Sequence, residues 1–320
     1  MPRRPPPAEL VESLVRGDRR ALARALSAVE EGGDDAREIG RLAHPHGGSA
    51  YTVGITGAPG AGKSTLTSAL IGVVRAGGAG DEVSVLAIDP SSPFSGGAIL
   101  GDRVRMQDHA LDDGVFIRSM ATRGHLGGLS LATPQAIRVL DAAGKPWVLV
   151  ETVGVGQVEV EVAGKADTTI VVVNPGWGDA VQANKAGLLE IADIFVINKA
   201  DRPGAAETRR DLTNMLEMTD QMGDWLPPIL DTVAAKGEGV SELWDAVAQH
   251  KAHLSSTGGL SARREGRLSE ELREIVARTL EARAYALTGD ARVATLRDDI
   301  AARRIDPYDA ADEIIGGLDG

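Results

Sequence analysis

The stretch Gly57-Ala58-Pro59-Gly60-Ala61-Gly62-Lys63-Ser64-Thr65 constrains the fold more than any other, because it has the spacing of a phosphate-binding loop: Gly, four residues, Gly, Lys, then Ser or Thr. Such a loop joins a buried strand to a helix, and the flanking sequence offers both. Val53-Gly54-Ile55-Thr56 leads in, and Leu66, Ala69, Leu70 and Val73 follow at helical spacing. The glycines let the backbone curl with its N–H groups inward, and the helix N-terminus adds partial positive charge, so the pocket suits the β-phosphate of a nucleotide. Lys63 is expected to bridge the β- and γ-phosphates, and Ser64 to offer its hydroxyl to Mg²⁺.

From Tyr51 to about Ala234, short β-rich runs alternate with helical stretches, the pattern of an α/β fold with a mostly parallel sheet covered by helices. The expected strands are Tyr51–Thr56, Val83–Asp89, Val115–Ser119, Trp147–Thr152, Thr168–Asn174, Ile194–Asn198 and Ile229–Val233. Ligands of such sheets gather at the carboxyl ends of the strands, so the polar residues closing these runs are the candidates for chemistry. Asp89 closes the second run, and Asp102 follows beyond a Pro-, Ser- and Gly-rich loop. Val148-Leu149-Val150-Glu151-Thr152-Val153-Gly154 brings a buried-type strand to an acid and then a glycine. Glu151 can hold Mg²⁺ through water, while the Gly154 N–H can meet the γ-phosphate and let the following loop move when that phosphate leaves. Ser64, Asp89, Asp102 and Glu151 are therefore the candidate metal residues, and which acid binds the ion directly is left open.

Asn198-Lys199-Ala200-Asp201 decides the base, because it fits the Asn-Lys-x-Asp pattern of a guanine reader. A carboxylate at Asp201 accepts from both N1–H and the N2 amino group of guanine, whereas adenine has no such donor pair. A site built on paired hydrogen bonds discriminates by about 10⁴-fold or more. The expected ligand is GTP, with GDP as product.

The flanks are helical in pattern. Near the N-terminus two short amphipathic helices are expected, with Asp18 as N-cap between them and Gly32-Gly33-Asp34-Asp35 ending the pair. His44-Pro45-His46 reads as a solvated linker rather than a metal site. Ser255-Ser256-Thr257-Gly258-Gly259 reads as a second linker, and Leu268, Leu272, Ile275, Val276 and Leu280 then form an apolar stripe on a long helix. Asp306-Pro307 opens a last helix. The stripe suits a dimer seam or docking within the chain, and spacing does not choose between them. These boundaries divide the chain into an N-terminal helical extension (1–46), a nucleotide domain (47–255) and a C-terminal helical arm (256–320).

Composition narrows the remaining classes. A net charge of −12 argues against a nucleic-acid partner, the absence of cysteine removes disulfides and thiol catalysis, and no apolar run is long enough to span a membrane. Met1-Pro2-Arg3-Arg4-Pro5-Pro6-Pro7 has no apolar core behind it, so a cytoplasmic location is expected.

With these residues in view, the chain resembles the bacterial MeaB/ArgK family of P-loop GTPases, to which the human methylmalonic aciduria type A protein is related. The resemblance rests on Gly57 to Thr65, Asp89-Pro90-Ser91-Ser92, Gly101-Asp102-Arg103, Arg118 to Leu129, Glu151 to Gln157, Gly178-Asp179 with Gln182 and Lys185, and Asn198 to Asp201. Departures fall at Val158, Trp177, Ala180 and Val233-Ala234, the last where the family usually has Ser-Ala against the base, and the resemblance implies that Val233, Ala234 and Ala235 lie near the base. The resemblance implies a Mg-dependent GTPase that forms a homodimer through C-terminal helices. It also implies a chaperone that gates cofactor loading and protects an adenosylcobalamin-dependent acyl-CoA mutase of the methylmalonyl-CoA type. It places Lys63, Glu151, Asp102 and Lys185 in the catalytic apparatus, Lys185 on a third switch that responds to the mutase. The alternatives are a metal-insertion GTPase, disfavoured by the lack of Cys and clustered His, and a transport-linked kinase, disfavoured by Asp201.

Overall fold

The computed structural model describes residues 4–77, 82–89, 107–109, 111–121, 128–152, 165–176, 191–218, 224–288 and 290–316. Seven strands form one sheet: β1 (Tyr51–Gly57), β2 (Val83–Asp89), β3 (Val115–Ala121), β4 (Trp147–Thr152), β5 (Thr168–Val173), β6 (Ile194–Asn198) and β7 (Ile229–Thr232). Their order is β3-β2-β4-β1-β5-β6-β7, and every neighbouring pair is parallel. The α/β fold expected from the sequence is what the chain adopts. Each expected strand is present, with ends within two residues of those anticipated.

The sheet is all parallel because both of its faces are buried under helices. On one face, Val53, Ile55, Leu149, Ile170, Val172, Ile194 and Val196 pack with Leu66, Leu70 and Val74 of α4 (Lys63–Ala76) and with Leu243 and Val247 of α7 (Val240–Thr257). The alternate residues Leu86, Ile88, Val148 and Val150 point the other way and meet α5 (Gly128–Ala142). That second core also takes in Leu10 and Leu14 of α1 (Pro7–Val15), Leu22 and Leu26 of α2 (Arg19–Glu31) and Ile39 of α3 (Gly33–Ala43). Farther along this face, Val171, Val173, Phe195 and Ile197 meet Leu212 of α6 (Ala205–Glu217).

Two local expectations change. Asp18 caps α2 as the sequence indicates, its Oδ1 accepting from the Arg20 and Ala21 N–H groups at 2.7 and 3.1 Å. Gly32-Gly33, however, does not end the N-terminal helices. Gly32 sits at φ +79°, turns the chain, and lets α3 start at once with Asp34 and Asp35 in its first turn. Ser255–Gly259 is not a linker either. The Ser255, Ser256 and Thr257 hydroxyls donate back to helix carbonyls, so α7 runs to Thr257 and only Gly258, at φ +76°, breaks it before α8 (Gly259–Thr288).

The chain divides into two compact units, Met1–Arg264 and Glu265–Gly320. The second holds most of α8, then α9 (Asp290–Ala301) and α10 (Pro307–Gly316), with Asp306 capping α10 through the Tyr308 and Asp309 N–H groups. Ala284, Val293, Leu296 and Ala310 are buried there, whereas Leu268, Leu272, Ile275, Val276 and Leu280 stand exposed along α8. No described helix is long and apolar enough to cross a membrane.

Candidate functional site

The phosphate-binding loop leaves β1, near the middle of the sheet, at its carboxyl edge. Two of its glycines are required by the fold. Gly57 has φ +137°, and a Cβ there would fall 1.9 Å from the Val172 carbonyl oxygen of β5; Gly62 has φ +93°, and its Cβ would lie 2.5 Å from Asn198 Nδ2. Any side chain at either point would push the loop off its neighbours. Ala58 and Ala61 are buried, Pro59, Gly60 and Thr65 face solvent, and α4 starts at Lys63 with its N-terminus at the loop. Lys63 is 7 % exposed, and its ammonium donates to the Gly57 and Ala58 carbonyls at 2.8 and 3.2 Å, which holds the charge over the curl of the loop.

Strand alternation sets the next contact. In β4, Leu149 faces α4, so Glu151, two residues on, faces it too. Its Oε1 accepts from the Ser64 hydroxyl at 2.6 Å, although the two residues are 87 positions apart. Both are buried. Beside them, Thr152 donates to Thr56 Oγ1 at 3.2 Å, which ties the ends of β4 and β1 together. A hydroxyl and a carboxylate sharing one spot at the first turn of α4 are hard oxygen donors of the kind Mg²⁺ takes. The residues present therefore fit the ion, with Ser64 and Glu151 as the groups that would hold it.

The Asn198–Asp201 segment closes the other side of the loop. The buried Asn198 amide donates from Nδ2 to the Ala61 carbonyl at 2.7 Å, and its Oδ1 accepts from the Thr232 hydroxyl and the Ala234 N–H, each at 3.1 Å. One side chain thus links the phosphate loop to the turn after β7. Lys199 adopts φ +59°, a conformation that costs a non-glycine residue energy. There its ammonium reaches the Gly60 carbonyl at 2.6 Å. Asp201 lies at the exposed rim, and its Oδ2 accepts from Lys236 Nζ at 3.2 Å. The Asp201 carboxylate raises the pKa of Lys236, first by that hydrogen bond and then by its charge. Val233 and Ala234 are buried and Ala235 is exposed; the Val233 N–H donates to the Glu238 carbonyl at 3.0 Å.

Lys63, Ser64, Glu151 and the Asn198–Asp201 segment thus meet at one edge of the sheet, as their order in the chain suggests. Asp89 ends β2 at the same edge. Asp102, Gly154 and Lys185, with Asp179 and Gln182, lie outside the described residues. Among the described residues no group of three or more His, Cys, Asp or Glu side chains is arranged to hold a metal ion; His44 and His46 lie in a short 3-10 turn. Two residues of the site escaped the sequence reading, Thr232 and Lys236. The signal for Lys236 was its place directly after Val233-Ala234-Ala235, in the turn assigned to the base.

Residues 22–288 match the model of the family described as Methylmalonyl Co-A mutase-associated GTPase MeaB. A Pyrococcus abyssi protein named as a GTPase is 50% identical over 317 residues, which is 97% of this chain and 97% of that protein. The Escherichia coli protein named GTPase ArgK is 38% identical over 276 residues, 83% of this chain and 82% of its own length. A crystal structure titled LAO/AO transport system kinase superposes with a TM-score of 0.71 at 27% identity, covering 98% of each chain.

Proposed function

Because this chain belongs to the MeaB family of methylmalonyl-CoA mutase-associated GTPases, we propose that it binds GTP, hydrolyses it with Mg²⁺, and serves in the cytoplasm as a chaperone of an adenosylcobalamin-dependent acyl-CoA mutase. One observation carries the nucleotide part of this reading. The Asn198 side chain bonds at once to the phosphate loop at Ala61 and to the base-side turn at Ala234, so a guanine reader and a phosphate cradle are held as one rigid site. An ATP site has no use for an acid at Asp201, whose two oxygens match the paired donors on the guanine edge.

In this reading Lys63 and the loop N–H groups hold the β- and γ-phosphates, and the Lys199 stem flanks the purine. Ser64 and Glu151 hold Mg²⁺, joined by Asp89 or Asp102. When bound, that ion neutralises charge that develops on the phosphate oxygens. Gly154 meets the γ-phosphate through its N–H. Lys185 supplies positive charge to the developing transition state when the mutase docks, a contribution that raises such rates by about 10³–10⁵ where an arginine plays the part. The exposed stripe Leu268, Leu272, Ile275, Val276 and Leu280 is the seam of a homodimer, because isolated globular proteins rarely leave such a row uncovered. Replacing Leu272 and Val276 together by Glu should halve the mass seen by light scattering, and an unchanged dimer mass would remove the seam from that helix.

The test of the chaperone reading is single-turnover GTP hydrolysis with and without an adenosylcobalamin-dependent methylmalonyl-CoA mutase. The wild type should accelerate by about tenfold or more, whereas Lys185→Ala should keep its intrinsic rate and lose most of the gain. A rate indifferent to the mutase, with no complex by sedimentation, would refute it.

A further inference from the structure

Lys236 belongs to none of the motifs, yet it touches the residue on which base choice depends. Its ammonium lies on Asp201 Oδ2 from 35 residues away, and the backbone of the turn that carries it is closely defined. Val233 and Glu238 form an antiparallel bridge, Lys236 N–H donates to the Val233 carbonyl at 2.8 Å, and Gly237, at φ +75°, ends the short 3-10 turn Ala234–Lys236. The return is equally fixed: Gly239 has φ +73°, and a Cβ there would stand 2.1 Å from the Asp231 carbonyl oxygen. The turn is therefore a tight loop built to bring residue 236 back over the rim of the base site.

A carboxylate offers about four lone-pair positions. Guanine's N1–H and N2–H use one on each oxygen of Asp201, and an ammonium on the outer side of Oδ2 uses a third. Base and lysine can thus bind the same carboxylate together. We propose that Lys236 is a positioning residue for guanine recognition, its ammonium fixing the Asp201 carboxylate so that both oxygens face the base edge before nucleotide arrives. This rests on the reading of Asp201 as the guanine acceptor. A carboxylate held in place loses less freedom on binding. Both side chains are about half exposed, so the effect is modest and screened by salt.

The experiment is GDP titration by calorimetry on the full chain, with Mg²⁺ present. Lys236→Met should weaken GDP about threefold and Lys236→Glu about tenfold, while Lys236→Arg should stay within about twofold of wild type. In the Asp201→Asn background, Lys236→Glu should change GDP affinity less than about twofold, because the group through which the lysine acts is gone. Raising salt from about 0.05 M to about 0.5 M should shrink the gap between wild type and Lys236→Met. Wild-type affinity in both Lys236→Met and Lys236→Glu, or an equal loss with and without Asp201, overturns the inference. If Asp201→Asn exchanges GDP for xanthosine diphosphate while the Lys236 variants are silent, the guanine reading stands and only the lysine's role falls. If Asp201→Asn itself binds GDP as wild type, the base reading fails first and takes this inference with it.

Discussion

The two ends of the sheet use similar side chains for opposite purposes. At the amino end, Asp167 precedes β5 and Asp193 precedes β6, and both are buried. Asp193 accepts from the Thr169 N–H at 2.8 Å and takes both Arg263 Nη atoms, at 2.9 and 2.7 Å. Asp167 accepts from the Thr52 N–H at 2.9 Å and from Arg264 at 2.8 Å. Thr168, His250 and Asp193 even stand in the order of a nucleophile relay, with 2.8 Å from hydroxyl to Nδ1 and 3.3 Å from Nε2 to carboxylate. His250 is fully buried, though, with the Trp225 ring 4.8 Å away, so no substrate reaches it. At the carboxyl end the acids meet a hydroxyl and a lysine beside a glycine loop, and the Asp201, Lys199 and Lys236 group lies at an accessible rim. Acids closed off by N–H groups and guanidinium are struts; acids beside a loop whose glycines admit a ligand's close approach form a site.

This contrast can be broken from either side, and the largest effect is expected at Lys63. Lys63→Ala should lower GDP affinity by about 10²-fold or more, because the lysine lies over the curl of its own loop, bonded to the Gly57 and Ala58 carbonyls, where its charge would meet phosphate. A variant that binds GDP normally in calorimetry would strip the loop of its assigned role. Asp193→Ala should show the converse. Its loss removes the carboxylate that Arg263 and the Thr169 N–H share and leaves Arg263 its bond to the Asp167 carbonyl, at a cost of about 2–3 kcal/mol once the part-exposed Arg263 is discounted. Urea unfolding reads that cost, and GDP affinity of the folded fraction should stay near wild type. A variant as stable as wild type would mean the amino-end network is no strut.

Next in size, Asp201→Asn should weaken GDP about 10²-fold and improve xanthosine diphosphate, whose edge replaces a donor with an acceptor. Unchanged GDP binding would dissolve the distinction between the two acids. The smallest effect concerns pH. Burial pushes the His250 pKa down to about 4 from 6.5, against the opposing pull of Asp193. The unfolded chain then binds more protons than the folded one between those values, so stability is complete above about pH 6.5 and falls as pH drops toward about 4. His250→Gln should flatten that part of the stability–pH curve measured by urea unfolding, while GDP affinity at pH 7.5 stays as in wild type. An equally steep decline in the variant would assign the acid sensitivity to other groups.

Much of the fold was legible because its signals are local. Strand β4, ending in Glu151 and Thr152, was visible as a buried-type run, and the phosphate loop and Asn198–Asp201 each lie within a few consecutive residues. The third N-terminal helix was missed because two glycines followed by two acids look like a terminator. In fact one glycine turns the chain while the acids suit the next helix N-terminus. Ser255-Ser256-Thr257 was misread because hydroxyl-rich segments favour turns by composition, yet here each hydroxyl is absorbed by the helix's own carbonyls. Arg263 and Arg264 gave no signal at all, since two arginines on a long helix look like a solvated face.

What the sequence determined by itself is the identity of the candidate site groups: glycines where a loop must curl, a lysine and serine at its end, an acid near the end of β4, and an acid closing the Asn198–Asp201 segment. These follow from residue type and short spacing, where backbone geometry leaves few alternatives. What only the tertiary structure decided is which groups share a bond. Register between β1 and β4 aligns Ile55 with Glu151, so the acid lands on the Ser64 hydroxyl. The parallel β6–β7 pairing sets Asn198 opposite Thr232, so the turn that follows returns Lys236 to Asp201. Contacts across 35 to 137 residues depend on strand order, register and the side of the sheet on which each residue falls, and those are fixed by packing the whole core at once.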